Sequence, residues 1–164
     1  MKKRTRMSLA GAIMALAFIA VVVPAAMAAD PIVGTWKLDV PNSKLVPSLS
    51  PPKTQTEVYR ELPSGDMTLE LTRVTNDGTV TMTLSWPATG GVVQDPRGSL
   101  PKGITAVETL LEPGDWYVTF LMNGEQNMVM HKVISPDGQT MRQTIRGLDP
   151  QGKPVEQIQV LHRQ

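Results

Sequence analysis

MTLELTRVTNDGTVTMTLSW, residues 67–86, alternates apolar and polar side chains on both sides of a turn. Met67, Leu69 and Leu71 alternate with Thr68, Glu70 and Thr72. Beyond Asn76-Asp77-Gly78, the residues Val80, Met82, Leu84 and Trp86 alternate with Thr81, Thr83 and Ser85. Successive side chains of a strand point to opposite faces, so this period gives each arm one apolar and one polar face. Asn, Asp and Gly are the residues that tolerate the backbone of a tight hairpin loop. The stretch therefore predicts a β-hairpin that is half buried.

Working outward, the same period recurs and the 3.6-residue period of a helix is not sustained over a useful length. Strands are predicted at Val33 to Val40, Thr54 to Leu62, Met67 to Val74, Val80 to Trp86, Ile104 to Leu111, Trp116 to Met122, Asn127 to Ile134, Gln139 to Arg146 and Val155 to Arg163. Glu112-Pro113-Gly114-Asp115, Asn123-Gly124-Glu125, Ser135-Pro136-Asp137-Gly138 and Asp149-Pro150-Gln151-Gly152 punctuate them as turns. The fold class is all-β: an antiparallel up-and-down meander of about eight or nine strands, which curls and closes to remove its two edges. Two connections are longer. Pro41 to Lys53 carries four prolines, and Pro87 to Gly103 is rich in Pro and Gly. Loops of this length are either binding loops or solvated spacers.

The chain opens on Lys2, Lys3, Arg4 and Arg6, continues through an apolar run from Leu9 to Val23, and reaches Pro24 and Ala26-Met27-Ala28. This is the order of a secretory signal peptide, with cleavage expected after Ala28. The apolar run is shorter than the roughly 20 residues of a membrane-spanning helix, so no stable membrane insertion is expected after cleavage. The organisation is thus a signal peptide over 1–28 and one barrel domain over 29–164. The product is expected to be periplasmic or secreted.

Removing the first 28 of 164 residues takes away four of the 16 basic residues and no acidic ones. Twelve basic residues then face 15 acidic ones, a balance of −3, and a nucleic-acid-binding role loses its electrostatic footing. There is no cysteine. Neither a lipid anchor after the cleavage site nor a disulfide framework is available, so stability rests on packing.

Gly34-Thr35-Trp36 opens the first strand, followed by Lys37-Leu38-Asp39 and Asn42-Ser43-Lys44. With Ser135-Pro136-Asp137-Gly138-Gln139-Thr140-Met141 and Gly152-Lys153-Pro154-Val155, the segment Ile32 to Lys44 resembles small secreted bacterial lipocalin-like proteins with a Gly-x-Trp opener. The resemblance implies a lipocalin-like barrel whose floor is formed by Gly34 and Trp36, with Arg163 as the basic residue packed on the indole. It also implies a small apolar or amphipathic ligand. It carries over no catalytic residue.

Chemistry-bearing motifs are sparse. His131 and His162 have no metal-ligand spacing, and both are read as surface or rim residues. Within Met128-Val129-Met130-His131, alternation puts the two thioethers on one face and the imidazole on the other, against a shared metal ion. No Gly-x-Ser-x-Gly elbow or phosphate-binding glycine loop is present. Glu57, Glu61, Asp66, Glu70 and Glu108 are scattered along strands and are expected at the solvated surface. No cofactor, metal or catalytic activity is expected.

Met82, Trp86, Trp116, Phe120, Met122, Met128, Met130 and Met141 supply either a soft pocket lining or an ordinary packed core. The expected function is accordingly that of an exported, non-enzymatic binding protein for a small hydrophobic or amphipathic molecule. The alternative is an extracytoplasmic protein-interaction module that uses the long Pro/Gly loops of a filled barrel. An enzymatic reading would call for a cavity holding two carboxylates, or His131 beside a hydrogen-bonding partner.

Overall fold

Alternating segments become strands where one phase of each can be buried against the same phase of its neighbours, and eleven do so in the computed structural model, which describes residues 29–98 and 102–164. The expected signal peptide, residues 1–28, lies outside the described residues. The strands are β1 (Gly34–Leu38), β2 (Thr54–Glu61), β3 (Asp66–Val74), β4 (Thr79–Pro87), β5 (Gly91–Val92), β6 (Gln94–Gly98), β7 (Ile104–Glu112), β8 (Asp115–Met122), β9 (Glu125–Ile134), β10 (Thr140–Leu148) and β11 (Pro154–Arg163). A single 3-10 turn, Pro47–Leu49, interrupts the first long connection. Among the described residues no helix is long and apolar enough to cross a membrane.

The sheet runs β5-β7-β8-β9-β10-β11-β1-β2-β3-β4-β6, with every pairing antiparallel. Sheet neighbours are chain neighbours except where β11 returns to β1, with Trp36 opposite Arg163, and at the two ends, where β5 pairs with β7 and β6 with β4. The hairpin of residues 67–86 pairs in the register its alternation predicts, Leu69 opposite Leu84 and Leu71 opposite Met82.

The Pro87 to Gly103 segment, expected to be a loop, supplies two additional strands. Its first part pairs with β7 and its second with β4. Only Val93 separates β5 from β6, and its N–H donates to the Ala106 carbonyl at 2.8 Å. One bent strap thus holds both sheet edges and closes the cylinder. Its glycines make this possible: Gly98 has φ +95°, and a Cβ there would collide with the Thr81 carbonyl oxygen.

One end of the barrel is packed shut. Ile32, Trp36, Tyr59, Met67, Trp86, Trp116, Met141 and Leu161 are buried there. Trp86 meets Tyr59 and Trp116 edge-on, at centroid separations of 6.4 and 6.2 Å, the arrangement that ring quadrupoles favour. The Trp36 indole N–H donates to the Ile32 carbonyl at 2.8 Å. Arg163 lies over the Trp36 ring, 4.3 Å from its centroid. The same guanidinium donates to the carbonyls of Gly138 (2.7 Å), Val33 (2.7 Å) and Pro31 (2.5 Å). It passes so close to Gly34, where φ is +142°, that any Cβ there would strike its Nη1.

Candidate ligand-binding cavity

Toward the opposite end the inward side chains no longer fill the cylinder and leave a cavity of about 290 Å³. That is near the lower end of the roughly 300–1,000 Å³ usual for small-molecule sites. Much of the lining is apolar: Leu69 and Leu71 from β3, Met82 and Leu84 from β4, Phe120 from β8, and Met128 and Met130 from β9. The two long connections also reach it, through Leu49 from the 3-10 turn and through Val93 and Pro96 from the strap.

The residues named from the sequence as lining divide accordingly. Met82, Phe120, Met128 and Met130 line the cavity. Trp86, Trp116 and Met141 lie in the packed core. Met122, half-buried at the end of β8, is not among the lining residues.

The rest of the lining is polar and shares strands with the apolar residues, Arg73 with Leu71 on β3 and Lys132 with Met130 on β9. Of the carboxylates expected at the surface, Glu61 and Glu70 are exposed, but Glu57 and Glu108 are each only 2 % exposed and line the cavity. The reason lies in the strand phase. Glu57 alternates in step with inward Tyr59, Glu108 with inward Ala106, and Lys132 with Met128 and Met130. Gln143 falls in step with Met141 and Ile145, and Gln157 and Gln159 with Leu161. That phase was readable in the sequence, but each residue taken singly has a polarity that favours solvent.

These groups satisfy one another across the barrel. Glu57 accepts from Gln55 at Oε1 (2.5 Å) and from Tyr59 (2.7 Å) and Gln143 (2.8 Å) at Oε2. Gln55 also donates to Gln159 (3.0 Å) and accepts from Arg73 Nε (2.7 Å). Lys132 Nζ donates to both oxygens of Glu108 (3.1 and 3.2 Å) and sits 5.3 and 5.5 Å from the ring centroids of Tyr59 and Trp86.

Burial, together with the charge and hydrogen bond of Glu57, pushes the Tyr59 hydroxyl well above its ordinary range. Burial also raises the Glu108 carboxyl, against the pull of Lys132, and lowers the Arg73 guanidinium, against the pull of Glu57. Three buried polar atoms, Trp86 Nε1, Gln143 Oε1 and Gln159 Nε2, have no partner among the described residues.

The cavity therefore does hold two carboxylates, but every oxygen of both already accepts a hydrogen bond. His131 faces outward, opposite in phase to Met130, and its Nε2 lies 2.6 Å from Asp115 Oδ1. His162 pairs with Asp39 at 3.0 Å beside a shallow, solvent-open outer groove of about 420 Å³. Exposed charges edge that groove and no enclosed wall desolvates a ligand, so the interior cavity is the candidate site. Among the described residues no three His, Asp or Glu side chains converge as a metal site.

A closed antiparallel cylinder, plugged at one end by a tryptophan beneath an arginine and hollow toward the other, defines a lipocalin-like barrel. Among solved structures the chain is similar to the fluorescent protein UnaG, with a TM-score of 0.57 and 14 % identity over 81 % of this chain and 97 % of that one. A single-substitution mutant of UnaG gives a TM-score of 0.58 and 14 % identity over 82 % of this chain and 96 % of that one. At this identity the likeness is one of fold. No protein-family model and no curated protein sequence matches the chain.

Proposed function

We propose that the protein is an exported, non-enzymatic binding protein that holds a small hydrophobic or amphipathic molecule inside its barrel. The observation that carries this reading is the interior cavity of about 290 Å³, with a thioether, leucine and phenylalanine wall. Methionine is unbranched and polarizable and adapts to ligands of differing shape, and a mainly apolar enclosure with a few polar groups is the usual form of such a site. The two long connections fit the same reading, since Leu49 and the buried Val93 reach the cavity. A partner-binding surface would instead present them outward. The engaged state of Glu57 and Glu108 supports binding over acid-base catalysis, which needs a carboxyl group free to exchange its proton.

Native mass spectrometry of the exported protein, with organic extraction of whatever co-purifies, tests the binding. The expected result is a bound small molecule, or saturable uptake of the neutral probe N-phenyl-1-naphthylamine by the extracted protein. Repeated isolation of an empty barrel that ignores this probe and fatty acids would overturn it. Export rests on the pattern of residues 1–28 and is tested by fractionation with N-terminal sequencing. A chain starting at Ala29 outside the cytoplasm is expected, and an uncut cytoplasmic chain would refute export.

A further inference from the structure

Hydrogen-bond capacity on the cavity wall is unevenly spent. The oxygens of Glu57 and Glu108 all accept bonds from protein donors. The amides are oriented by partners of unambiguous chemistry. The Val46 backbone N–H can only donate, so Gln157 turns Oε1 to it, at 3.0 Å. Arg73 Nε can only donate, so Gln55 turns Oε1 to it, at 2.7 Å.

This leaves Gln157 Nε2 and the two terminal nitrogens of Arg73 without a partner among the described residues, although both side chains line the cavity and Gln157 is 4 % exposed. Each of these nitrogens carries two hydrogens. Against them stands one buried, unpartnered acceptor, Gln143 Oε1. Asn127 and Thr105, also on the wall, serve either way.

From this donor excess, and resting on the cavity-binding reading above, we propose that the ligand is an amphiphile with a single terminal acid group. Its carboxylate or phosphate is bound by the Arg73 guanidinium and the Gln157 amide, and its apolar tail lies against Phe120, Met128 and Met130.

The planar guanidinium fork of the half-buried Arg73 matches two oxygens of one acid group, and charge-assisted pairs of this kind are stronger than neutral hydrogen bonds. The other cation of the wall, Lys132, is already held by Glu108. The Glu57 carboxylate reaches Arg73 only through the Gln55 amide. Burial disfavours the Arg73 charge, and an anion at its free nitrogens offsets that cost. A cationic head finds no free carboxylate here, and a neutral alcohol leaves the guanidinium under-used.

Isothermal titration of the solvent-extracted protein with decanoate, decyl phosphate, decanol and decyltrimethylammonium decides the matter, with acetate and inorganic phosphate as tail-free anions. Decanoate or decyl phosphate is expected to bind at least about tenfold more tightly than decanol, and the tighter of the two identifies the acid. Arg73→Gln is expected to weaken the anions about 10- to 100-fold while changing decanol by less than about threefold, and Gln157→Met to weaken the anions by a smaller factor. Retained decanol binding reports that each variant is folded, and the wild-type ranking stands even if one is not.

Equal binding of decanol and decanoate, or an unchanged decanoate-to-decanol ratio in both variants, overturns the acid head group and leaves cavity binding intact. Acetate or phosphate binding as tightly as decanoate overturns the amphiphile. No binding by any tailed compound overturns the cavity reading itself.

Discussion

Replacing Lys132 with methionine removes the cation from the most deeply buried ion pair of the barrel while keeping its unbranched stem against Tyr59 and Trp86. In the wild type, Nζ lies 3.1 and 3.2 Å from the Glu108 oxygens, with the two side chains 3 % and 2 % exposed. Taking one partner from such a pair strands a charge in a low dielectric and costs about 3 to 5 kcal/mol. For the 136 residues after Ala28, with about 2.1 cal/mol/K of unfolding entropy per residue, that is roughly 10 to 18 °C of melting temperature.

The loss has a definite pH dependence. Burial raises the Glu108 pKa above its ordinary 4.5, Lys132 opposes the rise and the Glu57 charge adds to it, so without Lys132 only the raising influences remain. A carboxyl group raised in the folded state binds more protons folded than unfolded between the two pKa values. Stability therefore falls as pH rises through that window and is retained below it. The deficit of Lys132→Met is expected to be small at pH 4 and largest at pH 8, as read from urea titrations.

The double variant Lys132→Met/Glu108→Leu removes both charges and is expected to recover most of the loss, because a packed apolar pair often matches a buried ion pair. A cost that is equal at the two pH values, or a double variant no more stable than the single one, would refute this reasoning.

Three further perturbations test the floor, the seam and the cavity. Trp36→Ala empties the space beneath Arg163 and is expected to cost about 3 to 5 kcal/mol in chemical denaturation; a cost under about 1 kcal/mol would mean the indole does not plug the barrel. Gly98→Ala forces a Cβ against the Thr81 carbonyl at positive φ and is expected to cost about 2 kcal/mol, with faster amide exchange along β4 and β6 where the strap lets go. Met128→Trp fills the cavity from β9; uptake of N-phenyl-1-naphthylamine is expected to fall at least about tenfold with little change in melting temperature, and undiminished uptake would place the ligand elsewhere.

Much of the strand pattern was legible because strand alternation is local. The hairpin of residues 67–86 needs only its own sequence, and the nine segments predicted along the chain all appear as strands, their ends shifted by a few residues. The strap was not legible. Pro87, Gly90, Gly91, Pro96 and Gly98 punctuate it as a loop, and it extends only because two separate edges, β4 and β7, lie on either side to pair with it. Four of the eight residues named as possible lining stand on the cavity wall, and which four depends on where the packed floor ends, something alternation does not specify.

What the sequence determined by itself was the period-2 chemistry of each strand, the turns between strands and the basic, apolar and small-residue order of residues 1–28. These are properties of neighbours in the chain. Tertiary structure alone decided which polar residues share the interior. Gln55 finds Gln159 104 residues away, and Glu57 finds Gln143 86 residues away. A buried carboxylate or amide is affordable only when its partners arrive, and those partners are brought to it by barrel closure and not by the local sequence.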